Sequence, residues 1–238
     1  MKKIVWCIVV LSLFGLQGFA QESTSIDSVR VWQMRAEKND VGAMINLFKY
    51  YSQHPNEIEF YKYTQKLDEF IEEYNAIKIF LNVPYIIGLY YLTDDYSVTP
   101  QDITKGINYI KYAAENGCTE AQYQLGIIYH EGRYGQAKDL KESFKWYQIA
   151  AELGHSGAML LLGMAYNNGD GVAKNNEEGL RWITQSANLG NNFAAYFLGV
   201  SYYEAVEIKD VSKARYWLQK AIELGNEMAI QYKKEHGL

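Results

Sequence analysis

Four histidines, His54, His130, His155 and His236, are the side chains of this sequence best suited to metal ligation or proton transfer. A zinc site of the HExxH kind needs two histidines four residues apart on one helix, and no pair here has that spacing. His130 and Glu131 are adjacent, but a metal site needs three or four convergent ligands, so they read as a solvated pair. Asn168-Gly169-Asp170-Gly171 starts like a calcium loop, then lacks the further carboxylates and the closing glutamate. A glycine-supported turn explains it better. Glu72-Glu73, Asp94-Asp95 and Glu177-Glu178 are neighbours in sequence. Consecutive residues on a helix point about 100° apart, so these pairs do not converge for acid–base work. The sequence contains no GxSxG, no phosphate-binding glycine loop and no dinucleotide fingerprint. The expectation is a non-enzyme, with no catalytic residue, no cofactor and no metal.

Charge narrows the partners. The net charge is −5, and no Lys/Arg cluster stands out, which disfavours nucleic acid and anionic membrane surfaces. Met1–Ala20 reads as a signal peptide. Lys2 and Lys3 form the charged start, Ile4 to Leu16 the apolar run, and Gly18-Phe19-Ala20 the small-x-small cleavage site before Gln21. Ser12 and Gly15 break the apolar run, which is shorter than the ~20 residues a spanning helix needs. The expected product is exported, periplasmic or secreted, with no membrane insertion after signal removal. Losing the two lysines would take its charge from −5 to about −7. Of the two cysteines, Cys7 lies in the signal run and Cys118 remains, too few for a disulfide within the chain. Cys118 reads as a small structural residue in a turn.

The elements that would position any site repeat along the chain. Ala121, Leu125, Gly126 and Tyr129 return as Ala158, Leu162, Gly163 and Tyr166, and again as Ala194, Leu198, Gly199 and Tyr202. Offsets of 4, 3 and 7 place Ala, Leu and Tyr on one helical face. A variable loop then ends at Asp139, Asn175 or Asp210, each a good N-cap. Seven residues on stand Trp146, Trp182 and Trp217, followed by a closing glycine, Gly154, Gly190 or Gly225, where a helix end favours a left-handed residue. Each unit is therefore helix A, loop, helix B and tight turn. A glycine inside helix A costs roughly 0.5–1 kcal/mol relative to Ala. That cost is intelligible if helix B approaches there, with Ala150, Ala151 and Ala187 opposite. The tryptophans should fill the gaps between units, Trp182 buried between two of them. The fold expected is all-α, a right-handed α-solenoid of stacked helix-turn-helix repeats.

The pattern resembles the Sel1-like repeat family, a relative of the tetratricopeptide repeats. The resemblance rests on Ala-xxx-Leu-Gly-xx-Tyr, the loop Gly169-Asp170-Gly171-Val172 and the ending Trp146-xxx-Ala150-Ala151-xx-Gly154. There are departures. The third loop has no glycine, Ser186 and Ile222 replace alanines, and an extra residue sits near Arg133-Tyr134. The layout expected is a signal peptide at 1–20, a diverged helical repeat at 21–82 and repeats at 83–118, 121–155, 158–191 and 194–226 within 83–227. A capping helix over 228–238 closes the chain.

The resemblance implies a protein-interaction scaffold binding a protein or peptide partner on the concave helix-A side. Carried over by spacing, the partner-facing positions are Tyr85 and Leu89; Tyr123, Ile127 and His130; Leu160, Met164 and Asn167; and Tyr196, Val200 and Tyr203. This stripe is apolar and tyrosine-rich, which suits recognition if it is open. Tight curvature would instead bury it between neighbouring A helices. The competing function is a secreted hydrolase or small-molecule-binding protein acting on cell-envelope material, which lacks a catalytic constellation to support it.

Overall fold

The computed structural model describes residues 26–37, 43, 44, 46, 47, 50, 59, 62, 63, 66, 67, 82–92 and 100–238. The expected signal segment, His54, Glu72, Glu73, Asp94 and Asp95 lie outside them. All the regular elements among the described residues are helices: α1 Ile26–Ala36, α2 Asn82–Tyr91, α3 Pro100–Glu115, α4 Thr119–Glu131, α5 Leu140–Glu152, α6 Ser156–Asn168, α7 Asn176–Asn188, α8 Asn192–Glu204, α9 Val211–Glu223 and α10 Glu227–His236, with a 3-10 turn at Val206–Ile208. They form two compact units, Met1–Asn116 and Gly117–Leu238. That division falls inside the run expected over 83–227. It lies beside Cys118, whose side chain makes no cap bond to α4, whereas His155, Asn191 and Asn226 each cap the helix they precede.

Each helix B begins where its sequence says it should. Asp139, Asn175 and Asp210 are extended, and their side chains accept from the backbone N–H groups of Glu142, Glu178 and Lys213 at 3.0, 3.1 and 3.0 Å. Such caps satisfy donors that have no partner inside the helix. The same residues close the loop behind them. Their own N–H groups donate to the carbonyls of Tyr129, Tyr166 and Tyr202, each at 2.8 Å. One backbone bond thus ends loops of different length. The extra residue of the first loop is absorbed by Tyr134 at φ 55, and the glycine-free third loop uses the 3-10 turn.

The tight turns follow a common scheme. Gly154, Gly190 and Gly225 have φ of 94°, 88° and 84°, and the next residue donates its N–H back to Ala150, Ser186 or Ala221. This is the left-handed ending that only glycine adopts at little cost. The next residue then caps the following helix A. His155 Nδ1 accepts from Ala158 N, Asn191 Oδ1 from Ala194 N and Asn226 Oδ1 from Ala229 N, at 3.0, 3.0 and 3.2 Å. The fixed four-residue step from glycine to motif alanine is therefore a helix stop followed by a helix start.

Packing departs from expectation in two places. The alanines expected opposite the helix-A glycines are not the residues found there. A Cβ on Gly163 would meet Ile183 Cγ1 at 2.5 Å, one on Gly199 would meet Leu218 Cγ at 2.6 Å, and one on Gly88 would meet Ile110 Cγ1 at 2.9 Å. The glycine makes a notch for a large side chain, because burying a branched aliphatic group returns more than small-on-small contact. Trp182 is half-buried rather than buried. It packs against the cluster of Tyr147, Ala150, Ala151, Ala158, Met159 and Leu162, with the Arg181 guanidinium 4.8 Å from its ring. The residue after it, Ile183, is the fully buried one. Ser186 replaces an alanine for a reason: its buried hydroxyl donates to the Ser156 carbonyl at 2.7 Å, tying helix B to helix A within one repeat.

In the first unit Val29, Ala36, Ala43, Met44, Leu47, Tyr63, Leu67, Ile87 and Tyr109 share one core. Glu37, just after α1, holds Lys62 and Lys66 at 3.1 Å each. Those lysines are four residues apart, so the described residues of the stretch 58–81 present one helical face to α1.

Candidate protein-binding face

The helix-A positions expected to meet a partner differ between the two units. Tyr85 and Leu89 are 4% and 5% exposed. They belong to the interior of the first unit and offer no open surface, a correction to their expected role. In the second unit every expected position is partly open: Tyr123, Ile127 and His130 on α4, Leu160, Met164 and Asn167 on α6, and Tyr196, Val200 and Tyr203 on α8. None of these nine is either fully buried or fully exposed.

The reason is that rings from neighbouring A and B helices and a turn lie against this stripe. Tyr123 stacks on His155 at the start of α6, with ring centroids 4.4 Å apart, and tilts against Tyr147 at 6.4 Å. His130 leans on the same Tyr147 ring at 6.5 Å. Tyr196 and Tyr203 both stand edge-on to Tyr232 of α10, at 6.0 and 6.1 Å. Edge-on and offset rings are the favoured arrangements for such pairs. The structure thus gathers Tyr123, His130, Tyr147 and His155 at one place and Tyr196, Tyr203, Tyr232 and His236 at another.

Polar groups punctuate the stripe. Tyr232 donates to Glu204 Oε1 at 2.7 Å. Burial pushes the Tyr123 phenol above its ordinary value and the Tyr147 phenol further still. Burial likewise holds the His155 imidazole below its ordinary value, against a weaker pull from Glu120. Asn167 Oδ1 is buried without a hydrogen-bond partner and lies against Gly179, where a Cβ would stand 2.0 Å from it. Such a surface can grip an apolar or aromatic side chain and exchange hydrogen bonds at its polar points. Among the described residues no three His, Cys, Asp or Glu side chains converge to hold a metal ion, and none of the helices is long and apolar enough to cross a membrane. His130 and Glu131 sit at the end of α4, and the loop Asn168–Gly171 is a turn in which Asn168 Nδ2 donates to Asp170 Oδ2 at 3.1 Å. Gly171 is there for a close approach: a Cβ would lie 2.1 Å from the Leu140 carbonyl oxygen.

Sequence reasoning missed Tyr147, His155 and Tyr232 as members of these clusters. One signal was available for the first. The residue after each Trp-position aromatic is large and apolar: Ile110, Tyr147, Ile183 and Leu218.

The Sel1 repeat model matches four consecutive segments, residues 85–118, 119–155, 156–191 and 192–226, more than half of the chain. The chain belongs to the Sel1 repeat family. Sel1 repeat proteins are generally non-enzymatic scaffolds that bind other proteins. Solved Sel1 structures agree with the fold. A protective antigen of uropathogenic Escherichia coli with this fold is 28% identical at a TM-score of 0.70, covering 84% of this chain, which spans 42% of that protein's length. A Sel1 repeat protein from Oxalobacter formigenes is 26% identical at a TM-score of 0.67, with 83% and 78% of the two chains covered. An immunity protein from Pseudomonas aeruginosa, 15% identical at a TM-score of 0.53 over 95% and 83% of the chains, shares the fold alone. No curated protein matches the sequence significantly.

Proposed function

We propose that this Sel1 repeat protein is an exported, non-enzymatic scaffold that captures a protein or peptide partner on the helix-A face of its second unit. The observation carrying this reading is the nine-residue stripe on α4, α6 and α8, which stays partly open although it is mostly apolar and aromatic. A stripe wholly inside the core would be closed, and a solvated face would be charged. Partly open tyrosine, methionine and aliphatic side chains offer contact area at low entropic cost. Export rests on the signal-like Met1–Ala20. It is supported by the presence of a protective antigen among the structural relatives.

The test is crosslinking and co-purification from the native cell envelope, followed by titration calorimetry with the captured partner. Met164→Lys and Val200→Lys change open positions without removing a ring contact. They should weaken binding by about tenfold or more, the loss expected when a charge enters an apolar contact. The melting temperature should stay within a few degrees. Undiminished binding by both variants would place the partner elsewhere. Mass spectrometry of the mature protein checks export, with an N-terminus at Gln21 expected.

A further inference from the structure

The turns that lead from helix B to helix A lie along one edge of the second unit, which touches the stripe just described where His155 stacks on Tyr123. Leu153, Leu189 and Leu224 each precede a turn glycine, and Phe193 and Met228 are the second residues of α8 and α10. These five large apolar side chains are between 38% and 59% exposed. Singly exposed leucines are ordinary. A row recurring at every turn is not, because the turns are stitched side by side. Ser186 Oγ donates to the Ser156 carbonyl at 2.7 Å, Asn192 Nδ2 to the Leu224 carbonyl at 3.3 Å and Asn226 Nδ2 to the Asn192 carbonyl at 3.3 Å. Leu224 Cδ2 reaches within 4.0 Å of the place a Cβ on Gly190 would take. The leucines are held firmly, since the N–H of each turn glycine returns to its own helix B.

Charge says what fits this edge. The segments 152–157, 188–193 and 223–228 contain Glu152, Glu223 and Glu227 and neither lysine nor arginine. Three helix-B C-termini end here and three helix-A N-termini begin here, so the helix ends offset one another and the glutamates set the sign of the edge. Lys220, one turn earlier, is engaged by Asn188 Oδ1 at 3.5 Å and by the Trp217 ring at 5.0 Å. A second copy docking edge to edge would set carboxylates against carboxylates. An anionic lipid surface would be repelled in the same way. We propose that this turn edge is a second docking surface, occupied by a cationic amphipathic helix of a partner protein. The helix's apolar stripe would lie across the leucine row, and its lysines or arginines would reach the glutamates.

The probe is a short fluorescent Leu/Lys amphipathic helix, with a Leu/Glu peptide of the same pattern as control, titrated into the full chain by anisotropy. The cationic peptide should bind, more weakly as salt rises, and the acidic one should not. Joint Leu153→Ser, Leu189→Ser and Phe193→Ser should weaken binding by about tenfold or more, as loss of an apolar anchor does. Joint Glu152→Gln, Glu223→Gln and Glu227→Gln should weaken it severalfold and flatten the salt dependence while leaving the thermal melt in place. Met164→Lys with Val200→Lys, on the helix-A face, should leave it unchanged. If the serine variant melts early, Leu189→Gln alone decides the apolar part. The proposal is overturned if the peptide binds all variants equally, which is charge attraction without a site. It is also overturned if light scattering shows a dimer that the serine set dissolves, or if the wild-type chain binds phosphatidylglycerol vesicles through the same leucines.

Discussion

The ring of Tyr147 fills the space that a Cβ on Gly126 would occupy, so that carbon would stand 2.5 Å from both Cδ1 and Cε1 of the ring. Helix A and helix B of this repeat are therefore as close as a glycine and an aromatic ring allow. In the next repeat the contact is tighter in kind, because a Cβ on Gly163 would stand 2.7 Å from the backbone oxygen of Gly179 as well as against Ile183. A ring can tilt. A helix backbone must be displaced as a whole.

Gly163→Ala should accordingly cost more than Gly126→Ala, on the order of 2–3 kcal/mol against about 1–2 kcal/mol, in the range known for overpacked cores. By contrast Gly154→Ala meets no atom within 4 Å and should lose only the ~1 kcal/mol of a left-handed alanine. Urea melts of the three variants check the order. A Gly163→Ala protein as stable as wild type would mean that the two helices have room to part.

Ile183 and Trp182 make a second comparison. Ile183 is fully buried against Gly163, whereas Trp182 is half-buried under Arg181. Ile183→Ala should cost about 2–5 kcal/mol, the usual range for truncating a buried aliphatic residue. Trp182→Ala should cost less, because part of its ring stays hydrated in the folded chain. Thermal denaturation that ranks them the other way would show that the tryptophan bridges repeats more tightly than its exposure implies.

His155 makes one helix start sensitive to acid. Its Nδ1 accepts the Ala158 N–H, which only the neutral ring can do, and burial holds it neutral below its ordinary value of 6.5. The unfolded chain therefore takes up this proton first as the pH falls. Stability from His155 is complete above about pH 7 and declines as the pH falls from the ordinary toward the lowered folded value. Asn191 and Asn226 cap the next two A helices with amides that do not titrate. His155→Asn should keep the cap and show a shallower fall in melting temperature between about pH 7.5 and about pH 5. Parallel curves for the two proteins would count against this role.

Cys118 should be inert in the folded state. It is 2% exposed, and burial pushes its thiol up to about 11. Since the thiolate is the reactive form, alkylation near pH 8 should run on the order of a hundredfold slower than in the denatured chain. Peptide mapping after iodoacetamide labelling, which separates Cys118 from Cys7, measures this directly. Rapid labelling would mean that the turn at Cys118 opens readily.

The local plan of this protein is written in the sequence. Caps such as Asp139, closing glycines such as Gly154 and the Ala/Leu/Tyr period each act over a few residues of backbone, so their spacing was enough to predict helices, turns and family. The competing uses of one helical face were not legible there. Tyr85, Tyr123 and Tyr196 hold the same position in the pattern, yet the first is buried, the second stacks on a histidine cap and the third meets a tyrosine of α10. Exposure depends on which neighbour covers a residue, and that neighbour arrives from another helix. The glycine notches and the leucine edge have the same origin. Gly126 and Gly163 read as costs until Tyr147 and Ile183 are seen inside them, and Leu153, Leu189 and Leu224 form a row only because the turns lie side by side. Periodicity names the face of each helix. The packing of helix against helix decides what that face touches, because close-packed side chains reach only their immediate neighbours.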